Sequence, residues 1–358
     1  MPERTIGAAS EKGAAPETRT APPSTTPLLE VDNLRVSFRT RQGAVHAVNG
    51  LSFSVEKGEV LGVVGESGSG KSMAMYSMMG LVADPNVTIT GSARFRGQEL
   101  IGLPPRRLNR LRGNEIAMIF QDPMTALTPV YTVGWQIVEQ IRTHTDLSSK
   151  EAWERAVELL DEVGIPDPAR RARSYPHEFS GGMRQRVMIA MSLACNPALL
   201  IADEPTTALD VTTQRQILEL IRKLQERYGS SVILITHDMG VISEIADRVI
   251  VMYAGRAIEE GEKSEVVRRP RHPYTWGLLG AIPRPERRKL PLATIPGLPP
   301  KPSEKTVGCA FAPRCPFVMD KCRIETPPLD ATGTDLDHFD ACWLPGGVER
   351  DAIRKETL

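Results

Sequence analysis

The chain has 358 residues, of which 44 are Lys or Arg and 44 are Asp or Glu, for a formal net charge of zero. That length can bury a substantial core and hold one large domain with an appendage, and the charge balance gives no global positive field to recruit nucleic acid or an acidic membrane. No apolar run approaches the roughly 20 residues that span a bilayer and residues 1–27 lack the apolar stretch of a secretory signal, so a soluble, cytosolic protein is expected, reaching any membrane through a partner.

Residues 1–27 are rich in Pro, Ala, Thr and charge, with almost nothing large to bury, which predicts a disordered tail. From residue 28 to about 64, alternating apolar residues in LLEVDNLRVSF, VHAVNGLSFSV and EVLGVV predict strands joined at RTRQG. This antiparallel edge leads into residues 65–72, GESGSGKS, a complete G-x-x-x-x-G-K-[ST] loop between a strand-like and a helix-like run. Gly65, Gly68 and Gly70, with Glu66, Ser67 and Ser69 between them, form a cradle whose N–H groups can be aimed at phosphate oxygens. Lys71 offsets phosphate charge, and the Ser72 hydroxyl can ligate Mg²⁺. ATP or GTP is the expected ligand; the bland alternative, a Gly-rich turn, does not require the strand–loop–helix context found here.

Farther along, TITGSARFRG reads as a hairpin element and EIAMIF, residues 115–120, as a short buried strand. Residues 123–178 carry apolar positions at helical spacing in VGWQIVEQI and EAWERAVELLDEVGI, predicting a helical insert. Strands return in ALLIAD, SVILIT and RVIVMY, separated by helical runs that begin near Gly182, Thr212 and Met239. The alternation predicts an α/β fold, a parallel sheet with helices on its faces.

The run LLIADEP, residues 199–205, ends an apolar strand in Asp203 and Glu204. An Asp there can hold Mg²⁺, and the following Glu can orient or deprotonate an attacking water. Alone, such a pair would be solvated carboxylates at a helix start; beside Lys71 it points to hydrolysis. FSGGMRQR, residues 179–186, opens a helix at which Ser180, Gly181 and Gly182 can present hydroxyl and N–H donors to a second phosphate contact. Read alone, SGG is only a flexible helix start.

Taken in order, the phosphate loop, FQDP, SGG, DE and ITHD resemble the ATP-binding-cassette (ABC) transporter ATPases. The resemblance is dense from residue 28 to roughly 261 and implies a phosphate-loop NTPase with a RecA-like core, an antiparallel β edge and a helical insert at about 122–180, in a nucleotide-binding domain spanning 28–262. It implies that Phe38, otherwise a plausible core residue, stacks on adenine. It makes Gln121 the Q-loop glutamine, touching Mg²⁺ or the attacking water and linking the insert to the catalytic centre. Ser180, Gly181 and Gly182 match the signature, Asp203 and Glu204 the Walker B pair, residues 208–210, with Asp210, the D-loop, and His237, otherwise a surface-polar strand end, the γ-phosphate sensor. Phe179 and Met183 stand where the family's usual LSGGQ has Leu and Gln. The implied mechanism buries two ATP molecules between two cassettes packed head to tail, with Glu204 as general base, Lys71 and Mg²⁺ offsetting phosphoryl charge and His237 positioning the γ-phosphate.

RRPRHPYTWGLLGAIP, residues 268–283, the following IPGLPP and FQDPMTALTPV, residues 120–130, resemble the oligopeptide and dipeptide importer ATPases. This implies uptake of peptides at the cytoplasmic face of the membrane, with two transmembrane permease subunits, a related second ATPase and, indirectly, an extracytoplasmic solute-binding protein. Nickel importers and some sugar importers share the tail. The Pro-rich residues 283–302 read as a linker to a small cysteine-rich appendage within residues 263–358.

Cys309, Cys315, Cys322 and Cys342 follow the spacing C-x5-C-x6-C-x19-C, while Cys195 stands apart and reads as a small buried residue in the helix beneath the Asp203 strand. A reducing cytosol disfavours disulfides, so four nearby thiols point to a shared metal centre. Structural zinc usually pairs cysteines as C-x2–4-C, which is absent here, whereas iron–sulfur clusters accept irregular gaps. The family resemblance also points to a [4Fe-4S] cluster, with Zn²⁺ the alternative. A competing class, soluble ABC ATPases with metal-bound cysteines that act on DNA or ribosomes, usually carries two cassettes or basic surfaces; one cassette and zero net charge argue for no nucleic-acid partner. A purely regulatory nucleotide-binding module would not need Glu204 and His237.

Overall fold

In the computed structural model, the described residues are 26–345 and 350, apart from 42, 208, 283–293, 302, 304–305, 332–336 and 346–349. Most of the tail expected at 1–27, Ala208 of the expected D-loop and much of the Pro-rich stretch lie outside them.

Two long strands open the fold, β1 (Leu29–Thr40) and β2 (Gly43–Val55), paired antiparallel as the alternating pattern predicts. The fully buried β3 (Val60–Val64) leads through the phosphate loop into α1 (Lys71–Met78). The hairpin element is β4 (Val87–Phe95) and β5 (Gln98–Glu99), joined by Arg96 and Gly97 at φ 48° and 77°, left-handed values suited to a tight hairpin turn. After α2 (Pro105–Leu111) comes β6 (Ile116–Ile119), shorter than the six-residue run read from sequence.

The next stretch is helical: α3 (Pro123–Ala126), α4 (Val133–His144), α5 (Ser149–Glu162) and α6 (Pro168–Arg171). Helix α5 starts at a reciprocal Ser148–Glu151 capping box and buries Ala152, Ala156, Leu159 and Leu160 along one face. Then α7 (Gly181–Ser192), β7 (Leu199–Asp203), α8 (Val211–Tyr228), β8 (Ser231–Thr236), α9 (Met239–Ile245), β9 (Arg248–Tyr253) and β10 (Arg256–Glu262) follow. Helix α7 ends earlier than expected, so Cys195 sits in the turn beyond it, half-buried rather than buried, its thiol 3.8 Å from the Gln140 carbonyl. The remaining elements are α10 (Lys263–Arg268), α11 (Pro273–Gly280), α12 (Asp320–Ile324), β11 (Asp330–Ala331) and β12 (Phe339–Asp340).

Among the described residues the strands form two sheets. One is antiparallel, in the order β2-β1-β4-β5; the other runs β11-β12-β10-β9-β3-β8-β7-β6, parallel from β9 to β6. The parallel strands are buried on both faces, which is why they read as continuous apolar runs. Val60 and Val64 face the helices α4, α5, α7 and α8, while Leu61 and Val63 face α1 and the antiparallel sheet.

The C-terminal segment extends this sheet. Strand β12 pairs with β10, and Phe311 and Ala341 enter the helix-side core. The fully buried Glu259 joins two of its pieces, accepting the Arg271 N–H at 2.6 Å and the His272 N–H at 2.9 Å and lying 2.8 Å from His338 Nε2.

Candidate active site

Strands β3, β8, β7 and β6 are neighbours and all point the same way. Their C-terminal ends therefore deliver the phosphate loop, His237, Asp203 with Glu204, and Gln121 to one edge of the sheet, where open α/β sheets bind ligands.

Glycine is required in the loop for two reasons. Gly70 sits at φ 98° as the residue before α1, and a side chain there would also strike the Ala47 carbonyl. A side chain at Gly65 would meet the Met252 carbonyl of β9. Lys71 is buried, its ammonium donating to Gly65 O at 2.7 Å, Glu66 O at 2.9 Å and Ser69 Oγ at 3.3 Å, and burial lowers its pKa against the opposing pull of Glu204 and Asp203. A cleft bordering Gly68 carries Arg35, Arg256 and Lys301, a cationic lining suited to polyphosphate.

Asp203 is fully buried. Ser72 Oγ donates to its Oδ1 and Tyr76 OH to its Oδ2, both at 2.7 Å. Burial raises the Asp203 pKa despite those two bonds, so the carboxylate is poised for a compensating cation. The convergence of Ser72 Oγ and Asp203 Oδ1 gives two of the oxygen ligands that Mg²⁺ favours, and the Gln121 side chain bonds the neighbouring Glu204.

Glu204 adopts φ 46°, a left-handed conformation costly for a residue with a side chain and held here by its N–H bond to Ile235 O at 2.9 Å. Its carboxylate accepts from Gln121 Nε2 at 3.1 Å and Thr207 Oγ1 at 2.7 Å, and lies 3.3 Å from His237 Nδ1. Burial alone would raise its pKa, but the bonds from Thr207 and His237 outweigh it and the net shift is downward, so the group is held ionised.

The structure thus brings Lys71, Ser72, Gln121, Asp203, Glu204 and His237 together. Phe38, Asp210 and the signature residues stand apart from that group. Phe38 lies on β1 opposite Val45 and Val87, half-buried at the margin of the core. Asp210 caps α8, accepting from Thr213 N at 3.0 Å and Thr213 Oγ1 at 2.8 Å. Ser180 caps α7, its Oγ accepting from Met183 N, and is exposed with Gly181.

Sequence reasoning missed Tyr76, Thr207, Tyr274 and Arg314. Tyr76 lies four residues after Ser72 in α1, which puts the two on one helix face toward Asp203, and Thr207 lies three residues after Glu204 in the turn that follows β7. Tyr274 and Arg314 reach Glu66 from more than 200 residues away and carry no local signal.

The metal centre expected at the four cysteines is not assembled: among the described residues no three His, Cys, Asp or Glu side chains stand close enough to hold a metal ion. Cys309, Cys315, Cys322 and Cys342 nevertheless line one cavity, with Phe311, Phe317 and Trp343. Burial pushes the Cys315 thiol to about 11 and the Cys342 thiol to about 12, so these two stand neutral.

Residues 48–207 match the ABC transporter family, and residues 258–322 match the C-terminal region of oligopeptide/dipeptide transporters. The chain is 52% identical over 325 residues to the oligopeptide transport ATP-binding protein OppD of Salmonella typhimurium, covering 91% of this chain and 96% of that one. It is 52% identical over 303 residues to OppD of Escherichia coli, covering 85% and 89%. The solved dimer of the ATP-binding cassette MJ0796 in a post-hydrolysis state, bound to ADP and Pi, superimposes with a TM-score of 0.59 at 28% identity, over 66% of this chain and 98% of that one. Motif order, site geometry and these likenesses agree: the chain is an ATP-hydrolysing member of the ABC transporter family and belongs with its oligopeptide/dipeptide branch.

Proposed function

We propose that this chain is the ATPase subunit of a peptide importer, seated on the cytoplasmic face of two permease subunits and completed by a second, related cassette. The observation that carries the hydrolytic reading is the Glu204 carboxylate, pinned between Gln121, Thr207 and His237 at the end of the strand next to the one that follows the phosphate loop's own. Peptide as cargo rests on the C-terminal match and on the names of the relatives. Among the described residues no helix is long and apolar enough to cross a membrane, which fits a subunit that reaches the bilayer through permeases.

In this reading the loop N–H groups and Lys71 bind the triphosphate, and Ser72, Asp203 and Gln121 would hold Mg²⁺, which offsets charge on the phosphate oxygens. Glu204 accepts the proton of the attacking water, Gln121 and Thr207 fix its orientation, and His237 holds the γ-phosphate. Phe38 stacks on adenine. Ser180, Gly181 and Gly182 cap the ATP held by the partner cassette, and Asp210 braces the loop beside them. The residue roles imply a cassette over 28–262 with its helical insert at about 122–180, and an extension from 263 onward.

Glu204→Gln tests the hydrolytic role. In the transporter assembled with its permeases, ATP turnover should fall by about 10² to 10⁴, with ATP still bound; unchanged turnover removes Glu204 as the base. Uptake of labelled peptides by the reconstituted transporter tests the cargo, and uptake of nickel or sugar in their place would reassign it.

At the four cysteines, which line one cavity, we favour a [4Fe-4S] centre over zinc because their C-x5-C-x6-C-x19-C spacing lacks the C-x2–4-C pairs usual in structural zinc sites. It would act as a brace for the C-terminal segment, and no step of hydrolysis runs through it. Anaerobically purified protein should contain iron and absorb broadly in the visible range. Zinc alone or no metal contradicts the cluster.

A further inference from the structure

Glu66, the second residue of the phosphate loop, is held by the C-terminal segment at both its backbone and its side chain. Its N–H donates to Tyr274 OH at 2.8 Å. Its carboxylate is gripped by the Arg314 fork, Nη1 to Oε2 at 2.6 Å and Nη2 to Oε1 at 2.9 Å. Its carbonyl accepts from Lys71. Every polar group of Glu66 is therefore committed within the protein.

Arg314 is itself fixed. Its side chain is 4% exposed, and its remaining donors reach Pro296 O at 2.9 Å, Tyr253 OH at 3.3 Å and Ile295 O at 3.4 Å, so that all five guanidinium N–H groups have acceptors. The guanidinium also lies 5.9 Å and 6.0 Å from the ring centroids of Tyr253 and Phe311. Tyr274 is fully buried, with its ring 4.7 Å from that of Tyr253. A planar, five-donor group locked this way transmits position; a mobile lysine would transmit only charge.

We propose that Arg314 and Tyr274 are positioning residues for ATP binding: through Glu66 they hold the phosphate loop in its binding shape before nucleotide arrives. Neither touches the triphosphate. They lower the cost of ordering the loop backbone before the phosphates arrive, leaving Lys71 to exchange its bonds within the loop for phosphate oxygens. Such a constraint serves ground state and transition state alike, and its loss raises KM for ATP while leaving kcat nearly unchanged. The inference rests on the ATPase reading above and concerns where the loop obtains its rigidity.

The experiment uses full-length chain in the assembled transporter, with steady-state ATPase measured over a range of MgATP for Arg314→Gln, Arg314→Lys, Glu66→Gln, Tyr274→Phe and the Arg314→Gln/Glu66→Gln double variant. Arg314→Gln and Glu66→Gln should each raise KM by about 10-fold, as loss of a charge-assisted bidentate bond implies, with kcat within about 2-fold. Arg314→Lys should resemble Arg314→Gln, because charge without the fork does not fix the loop. Tyr274→Phe keeps the packed ring and should raise KM by a few-fold. The double variant should be no worse than the worse single one. Multiplicative KM effects in the double variant, a fall in kcat at constant KM, or a lowered melting temperature with KM unmoved would each overturn the proposal. If Arg314→Gln fails to assemble, Glu66→Gln and Tyr274→Phe decide: an unmoved KM in both overturns it. Wild-type transporter run in parallel separates this from the ATPase reading, since absence of wild-type turnover counts against that reading and leaves the variants to be compared by binding of a fluorescent ATP analogue.

Discussion

Gln121 Nε2 donates to Glu204 Oε2 across 3.1 Å, tying the segment that leaves β6 to the carboxylate after β7. Gln121 is followed directly by Asp122, which caps α3, so the same short segment begins the helical stretch and touches the Glu204 carboxylate. A carboxylate in place of the amide would set two like charges against each other. Because a nearby negative charge disfavours ionisation, Gln121→Glu should raise the Glu204 pKa and move the acid limb of the kcat profile upward by about 1 unit or more. A pH–rate profile of the assembled transporter at saturating MgATP checks this; an unmoved acid limb would separate Glu204 from the titration that limits turnover.

Tyr76 carries the second oxygen of Asp203, with OH to Oδ2 at 2.7 Å. Tyr76→Phe leaves that fully buried oxygen without its donor, which costs about 1–2 kcal/mol of folding stability by denaturant titration. It also frees the carboxylate to rotate away from Ser72. Losing a bond that orients a metal ligand typically weakens metal affinity about 10-fold or more, so the Mg²⁺ concentration for half-maximal ATPase should rise accordingly. Unchanged Mg²⁺ dependence would mean that Ser72 alone orients Asp203.

How much of this was legible in the chain depends on how far apart the cooperating residues lie. The runs that became β3, β7 and β8 are buried on both faces, so a stretch of apolar residues marks them directly; α5 announces itself by the helical spacing of its apolar residues. Residues such as Lys71 and Glu204 sit in local motifs whose order alone places them. Tyr76 and Asp203 are 127 positions apart, and Arg314 and Glu66 are 248 apart; nothing local records either pair, because only the sheet order brings them together. Strands β11 and β12 are two residues each, too short for alternation to register, so residues 263 onward read as an appendage although β12 extends the central sheet.

Beside the helical stretch, Tyr131 and Trp135 stack at 4.0 Å and remain 45% and 43% exposed, with Val130 at 70% next to them. Large aromatics left in water on one face mark a contact for another protein, and in an importer the permeases are the partners that must feel closure. Trp135→Ser should leave folding and ATP-analogue binding as they are. It should lower copurification with the permeases and reduce ATP-driven uptake by about 10-fold, the loss of an interface aromatic. Full uptake with normal copurification would assign the patch to something else.

Ser180 and Gly181 are exposed at the start of α7, a twelve-residue helix whose first N–H groups have no partner within the helix apart from the one bonded to Ser180 Oγ. Among the described residues no hydrogen bond joins them to the phosphate loop, which fits the proposal that they cap the nucleotide held by the partner cassette. A bulky, charged residue there should therefore damage the partner's site and spare this chain's own. Ser180→Arg should lower ATPase of the assembled transporter by about 10-fold or more, while a fluorescent ATP analogue binds the isolated chain with unchanged affinity. The reverse pattern, lost binding by the isolated chain, would show that α7 caps its own loop and that the two cassettes do not share their sites.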